Sequence, residues 1–518
     1  MREKGKNKGM VYLVGAGPGD PGLLTVRGKE CLCMADVVIY DYLANPSFLD
    51  YARDRADLVY VGKRGGAHTM SQAQINELIV ERAQEGKVVV RLKGGDPFIF
   101  GRGGEEAQEL VKAGEDFEVV PGITSAISVP AYAGIPITHR DHTSTVAFIA
   151  GNEDPLKEKS SIAWDKLATA VGTLVFLMGM GNLSKIAGKL INHGRSPDTP
   201  VAVVQRGTQA EQKTEVGTLE NISRLAEESG IGPPAVIVVG DVVRLREELN
   251  WFETRPLFGK RIVVTRARAQ ASRFLHDLSL LGAQCIEFPT IEIVPPESWA
   301  DLDRAIQALE GYQWLVFTSV NGVEYFMERL RYLGKDMRDL KGIKIGAIGP
   351  KTAGMWHGLG ITPDLMPDEY RAEAFVELFK KQGVKGAKIL IPRAVRAREI
   401  LPDQLRKMGA DVDVVHAYRT INPDHNAALV KEMLQKTSID MVTFTSSSTV
   451  TNFVKMFEGQ GDTFQEWMAQ VAVACIGPIT AKTAQENGLC VDLVSSEYTI
   501  EALRQAIVDY FRSGRGAV

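Results

Sequence analysis

The stretch Gly15-Ala16-Gly17-Pro18-Gly19-Asp20-Pro21-Gly22 limits the chemistry open to the first half of this 518-residue chain. A glycine-rich turn behind an apolar run can hold a phosphate on free backbone N–H groups. Here Asp20 stands where the dinucleotide-binding pattern has its third glycine, and a carboxylate there repels phosphate. Pro18 and Pro21 each remove a further N–H donor. The turn therefore suits a neutral or cationic ligand, and a turn that only reverses the chain is the plain alternative. The order strand, turn, helix, strand, acid, ending at Asp41, raises a nicotinamide-dependent oxidoreductase as a rival; Asp20 and the prolines argue against it.

Other residues able to do chemistry stand at the ends of apolar runs. Asp41 follows Val37-Val38-Ile39-Tyr40, and Lys63-Arg64 follows Leu58-Val59-Tyr60-Val61. Such an acid and base could move protons in a crevice; equally, Asp41 could cap a helix and Lys63-Arg64 form a solvated basic turn. Two further glycine turns, Lys93-Gly94-Gly95-Asp96-Pro97-Phe98-Ile99 and Pro121-Gly122-Ile123-Thr124-Ser125, also come after apolar runs. His139 and His142 have no visible metal-ligand partners and read as structural.

The elements that must position these groups alternate. Met10–Val14, 37–40, 58–61, 87–92 and 117–120 read as strands. Helical stretches lie between them: one after Thr25, one from 41 to about 55, Ser71–Gln84 with Ser71 as cap, and about 104–113. Strands alternating with helices imply an α/β fold with a mostly parallel sheet and a ligand crevice at the strand C-termini. Strands at 173–178, 200–204 and 234–239 extend this into a second αβ lobe from about 144 to 250.

Composition narrows the function class. The chain is 45% hydrophobic and 24% charged with a net charge of −4, so neither nucleic acid nor a membrane surface is expected as partner. Five scattered cysteines with no Cys/His cluster point to a reducing compartment and no metal site. Residues 1–9 read as a flexible, solvated tail rather than a signal segment, and no run reaches the roughly 18 apolar residues of a membrane span. A cytoplasmic location is expected.

Val14-Gly15-Ala16-Gly17-Pro18-Gly19-Asp20-Pro21, Gly94-Gly95-Asp96-Pro97-Phe98, Pro121-Gly122-Ile123-Thr124-Ser125-Ala126 and Gly134-Ile135-Pro136-Ile137-Thr138-His139-Arg140 occur in an order that resembles the uroporphyrinogen-III C-methyltransferase family of tetrapyrrole methylases. The resemblance covers about residues 10–250 and implies a homodimer with lobes of about 10–143 and 144–250. It implies S-adenosyl-L-methionine against Pro18, Gly94, Gly95, Asp96, Ile99, Thr124, Ser125, Met178, Gly207 and Ala235. A sulfonium needs no phosphate cradle, Asp96 could accept from the ribose or amino group, and Met178 could pack on adenine or be plain core. The resemblance also implies Asp41 as proton acceptor and Lys63 as proton donor, with Arg64, Arg102 and Arg140 candidates for the carboxylates of the macrocycle.

A joint is placed near 250–258, and beyond it lies an internal repeat at an offset of about 127 residues. Phe317-Thr318-Ser319 matches Phe444-Thr445-Ser446, and Ile348-Gly349-Pro350 matches Ile476-Gly477-Pro478. Residues 258–515 resemble uroporphyrinogen-III synthase. The resemblance implies a domain of 258–293 plus 420–515, an inserted domain of 295–416, and a two-stranded β ribbon made by Ile291–Val294 and Val414–Thr420. It implies Tyr418 as the acid assisting loss of hydroxyl from hydroxymethylbilane, or else as a ribbon residue covering a hinge. Thr318, Ser319, Ser446 and Ser447 would hold carboxylates. The expected protein is a bifunctional transferase and lyase of porphyrin, sirohaem or cobalamin biosynthesis. The alternative is a methyltransferase carrying a non-catalytic tetrapyrrole-binding module.

Overall fold

Val37-Val38-Ile39 and Val88-Val89-Val90 are β-branched runs with no polar face, the composition of strands covered on both sides. In the computed structural model the described residues are 9–53, 55–62, 70–152, 161–265, 268–367, 372–395, 397, 399–421, 427–436, 438–459 and 462–514. They form two compact units: residues up to Arg261 with Leu278–Gln284, and Ile262–Asp277 with Cys285 onward.

The first lobe of the first unit holds β1 (Met10–Gly15), α1 (Val26–Met34), β2 (Val37–Tyr40), β3 (Asp57–Tyr60), α2 (Gln72–Gln84), β4 (Val88–Lys93), α3 (Gly103–Ala113), β5 (Asp116–Val120) and α4 (Ser125–Tyr132). The sheet is wholly parallel, in the order β3-β2-β4-β1-β5. Strand register sets where the glycine turns lie. Gly15 is opposite Lys93, and Val14 opposite Val120, so β1, β4 and β5 end level. Ser71 caps α2 with a reciprocal box to Gln74, as its sequence suggests. The stretch expected to be helical from 41 to 55 is instead a short 3-10 turn, Pro46–Tyr51; Asn45, as the residue before Pro46, is held extended and caps the turn, so no helix runs through from 41.

The second lobe contains β6 (Val146–Ala150), β7 (Thr173–Leu177), β8 (Pro200–Gln205), β9 (Lys213–Thr218) and β10 (Ala235–Val239) in the order β6-β7-β10-β8-β9. Only β6 and β7 run parallel; β10 is antiparallel to both β7 and β8. Val175, Ala202, Val204, Val236 and Val238 form one core with Ala126 and Val129 of α4, which ties the lobes together.

The second unit has two five-stranded sheets. One is ordered β12 (Gln284–Glu287), β11 (Arg261–Val264), β18 (Met441–Phe444), β19 (Ala472–Cys475), β20 (Leu493–Val494). The other is ordered β13 (Glu292–Val294), β17 (Asp411–Ile421), β16 (Lys388–Ala394), β14 (Trp314–Phe317), β15 (Lys344–Ala347). The ribbon is shorter than its sequence suggests. β13 pairs antiparallel with Arg419–Ile421 alone, while 411–418 lies parallel to β16. Val412, Val415 and Ala417 are buried there, so packing claims that part of the strand for the sheet.

Candidate active sites

The level ends of β1, β4 and β5 bring the three glycine turns into contact. Gly17 and Gly95 exchange both backbone hydrogen bonds, at 3.1 and 2.7 Å. A Cβ on Gly15 would strike Gly122, and one on Gly122 would strike the Gly95 carbonyl, so the backbones pack where no side chain fits. Asp96 fastens this meeting. Its Oδ1 accepts from the N–H groups of Phe98 and Ile99 at 2.8 and 3.1 Å, and its Oδ2 from Gly122 at 3.0 Å. Three backbone donors thus hold Asp96 in place, and about one of its four lone-pair positions is left to accept from a ligand.

Asp20 is likewise a tie. Its Oδ1 accepts from Gly22 at 2.7 Å, its Oδ2 accepts from the Tyr132 hydroxyl at 2.8 Å, and its N–H donates to Thr208 Oγ1 at 3.2 Å. Burial and the Asp20 carboxylate both push the Tyr132 phenol up, so it stays protonated and donates. Thr124 caps α4 and leads into Ser125 at the helix start, and Pro18 sits half-buried in the first turn.

Met178, at the end of β7, reaches across from the second lobe. It is 54% exposed, not core, and shares a cavity of about 510 Å³ with Pro97, Phe98, Phe100, Arg102 and Glu105. Gly207 packs on Val129 of α4, and Ala235 begins β10 opposite Gln205. Among the described residues, the non-glycine positions with positive φ are Phe100, Arg102, Met178, Arg206 and Thr208. All five border these turns, and such strain persists only where surrounding structure imposes it.

Asp41 ends β2 and is anchored from below. Its Oδ1 accepts from Leu43 N–H, and its Oδ2 accepts from Arg91 at 3.1 Å. The buried Arg91 and Lys93 share the buried Glu106, at 3.3 and 2.8 Å to its Oε1, while Glu106 Oε2 has no partner among the described residues. Burial, then Arg91, pushes the Lys93 ammonium below the ordinary lysine value. Arg102 is held bidentate by Glu105 at 2.7 and 2.9 Å, and Arg140 is exposed in the turn closed by His139 and Thr143. Lys63 and Arg64 lie outside the described residues.

In the second unit, Tyr418 is buried in β17. Its hydroxyl meets Ser319 Oγ at 3.0 Å, and its ring stacks on Tyr325 with centroids 6.0 Å apart. Ser319 also caps the helix Val320–Tyr332, and the exposed Thr318 precedes it. Ser446 caps the helix Ser447–Met456 at the equivalent end of the other sheet. Ser447 donates to the Ile479 carbonyl at 3.5 Å and accepts from Thr483 at 2.8 Å, so its hydroxyl is engaged on both sides.

Residues 10–223 match the family model for tetrapyrrole (corrin/porphyrin) methylases, and residues 272–505 that for uroporphyrinogen-III synthase HemD. The chain is 37% identical over 501 residues to the porphyrin biosynthesis protein HemD of Ruminiclostridium josui, covering 97% of this chain and 98% of that one. This chain belongs to the fused tetrapyrrole methylase and uroporphyrinogen-III synthase family. Its methylase half is 57% identical over 244 residues to the S-adenosyl-L-methionine-dependent uroporphyrinogen III methyltransferase of Methanosarcina barkeri, covering 47% of this chain and 96% of that protein. Among solved structures, a uroporphyrin-III C-methyltransferase from Thermus thermophilus complexed with S-adenyl homocysteine is 39% identical, with coverage of 46% and 99% and a TM-score of 0.39.

Sequence reasoning passed over several residues of the methylase half. Arg91 and Lys93 interrupt a valine run at i, i+2 spacing, which puts both on one strand face; that signal was readable. Thr208 and Tyr132 carried none, because their partner Asp20 lies 188 and 112 residues away in the chain.

Proposed function

We propose that the methylase half transfers methyl groups from S-adenosyl-L-methionine to C2 and C7 of uroporphyrinogen III, giving precorrin-2. The synthase half closes hydroxymethylbilane to uroporphyrinogen III with loss of water. The observation that carries this reading is the convergence of the glycine turns opposite exposed Met178. The family matches over residues 10–223 and 272–505 agree with it. Residues 10–250 are assigned to the methyltransferase and 258–515 to the synthase. A homodimer through the methyltransferase half and a cytoplasmic location belong to the same reading; no helix among the described residues is long and apolar enough to cross a membrane.

The tightly packed glycine turns and the exposed thioether fit S-adenosyl-L-methionine, with no phosphate to be neutralised. Bound there, it supplies an electrophilic methyl on a sulfonium. Asp41, kept oriented by Arg91 and Leu43 N–H, takes the proton lost from the macrocycle after attack. Lys63 is the matching donor. Arg64, Arg102 and Arg140 receive carboxylates, Arg102 by exchanging its Glu105 partner. In the synthase half Tyr418 donates a proton to the departing hydroxyl. Thr318, Ser319, Ser446 and Ser447 position carboxylates, which for Ser447 means breaking its present bonds.

The test supplies the intact protein with hydroxymethylbilane and methyl-labelled S-adenosyl-L-methionine and analyses the tetrapyrrole. A doubly labelled type-III macrocycle is expected. Unlabelled type-III product would sink the methylase reading, and label only when uroporphyrinogen III is supplied would leave the synthase half a binding module.

A further inference from the structure

The cofactor turn around Gly207 is held in a strained shape from a distance. Thr208 is buried and has φ +72, a conformation that a β-branched residue adopts only under constraint. Its N–H donates to Gln212 Oε1 at 2.8 Å. Gln212, also buried, uses its amide hydrogens on the Tyr132 carbonyl at 3.2 Å and on Glu253 Oε1 at 2.8 Å. All polar atoms of this amide are thus aimed, and Glu253 decides which way it faces.

Glu253 lies beyond residue 223, where the methylase family match ends, and within the stretch that joins the halves. It is nonetheless built into the first unit. Its Oε1 also accepts from Thr214 Oγ1 at 2.6 Å, and its Oε2 from Arg246 at 2.5 Å; Arg246 in turn donates to the Ala133 carbonyl. Its neighbours clamp the end of α4. The Phe252 and Trp251 rings pack on Tyr132 with centroids 4.7 and 5.1 Å away, and Trp251 Nε1 donates to the Ala131 carbonyl at 2.9 Å. Tyr132 then reaches Asp20 in the first glycine turn, whose N–H meets Thr208.

We propose that Glu253 is a positioning residue for the cofactor site: by orienting Gln212 it holds Thr208 at positive φ and so shapes the Gly207 turn that receives S-adenosyl-L-methionine. This rests on the assignment of that turn to the cofactor. The joint is then not a neutral tether but the last piece of the methyltransferase.

The test uses the full chain and reads S-adenosylhomocysteine affinity by titration calorimetry beside steady-state methylation with both KM values. Glu253→Ala is expected to raise KM for S-adenosyl-L-methionine about tenfold, the scale of one lost charge-assisted hydrogen bond. The KM for uroporphyrinogen III, kcat and synthase turnover stay unchanged. Glu253→Gln keeps an acceptor for Gln212 and restores most of the affinity. With Thr208→Gly in the background, positive φ costs nothing, and the Glu253→Ala effect is expected to shrink below about threefold. An equal effect in both backgrounds, or none in either, overturns the proposal, provided Met178→Ala raises the same KM. If Met178→Ala leaves it unchanged, the cofactor assignment itself falls, and the proposal with it.

Discussion

Asp96 carries a structural load that its place in the sequence does not announce. A carboxylate beside a glycine turn invites a ligand, yet three backbone N–H groups occupy it. Asp96→Asn should therefore act on the loop: one oxygen becomes a donor facing a donor, at a cost of about 1–3 kcal/mol. Chemical denaturation should show this loss, with a raised KM for S-adenosyl-L-methionine as its consequence. The Arg91–Glu106–Lys93 cluster makes a sharper case. Glu106→Gln takes from two buried cations the carboxylate they share, and should cost about 3 kcal/mol or more in the same measurement. Lys93 sets the sign of the pH effect. Its folded-state value is lowered, so the unfolded chain binds more protons between that value and the ordinary 10.5. Across that window the stability of wild type relative to Lys93→Met should rise with pH; a flat or falling difference would contradict the burial argument.

At the scale of elements, matching strand ends do the organising. Because β1, β4 and β5 finish level, turns far apart in sequence become one surface, and no single turn needs to be a complete site. The synthase half repeats one device twice: a strand, a capping serine, then a helix, at Ser319 and at Ser446. Ser319→Ala removes a cap and should cost about 1 kcal/mol of stability. It also strips the Tyr418 hydroxyl of its partner. Tyr418→Phe keeps the stack on Tyr325, so its melting temperature should stay near wild type while hydroxymethylbilane turnover falls and methylation is unaffected. Unchanged turnover would make Tyr418 only a buried strand residue. The internal repeat was legible because strand–turn–helix units carry local signals in Gly, Ser and Pro. The extent of β17 was not, because alternation alone cannot say which neighbour a strand takes along its length.

For the whole molecule, each compact unit has its own buried cores. A ligand that binds one native unit stabilises that unit by mass action. S-adenosylhomocysteine should therefore raise one calorimetric transition of the intact protein and leave another in place. A joint shift of all transitions would show instead that the units unfold as one.

The sequence by itself determined the α/β class, the order of two enzyme families on one chain, the glycine turns, and the unsuitability of the first turn for phosphate. These depend on local composition and on proline and glycine geometry, which neighbouring residues alone express. Only the tertiary structure decided that Asp20 and Asp96 are ties, that Met178 is exposed, and that Glu253 reaches Thr208 through Gln212. Those assignments depend on which distant groups a buried polar atom finds to satisfy it. That choice is made by packing and register, not by neighbours in the chain.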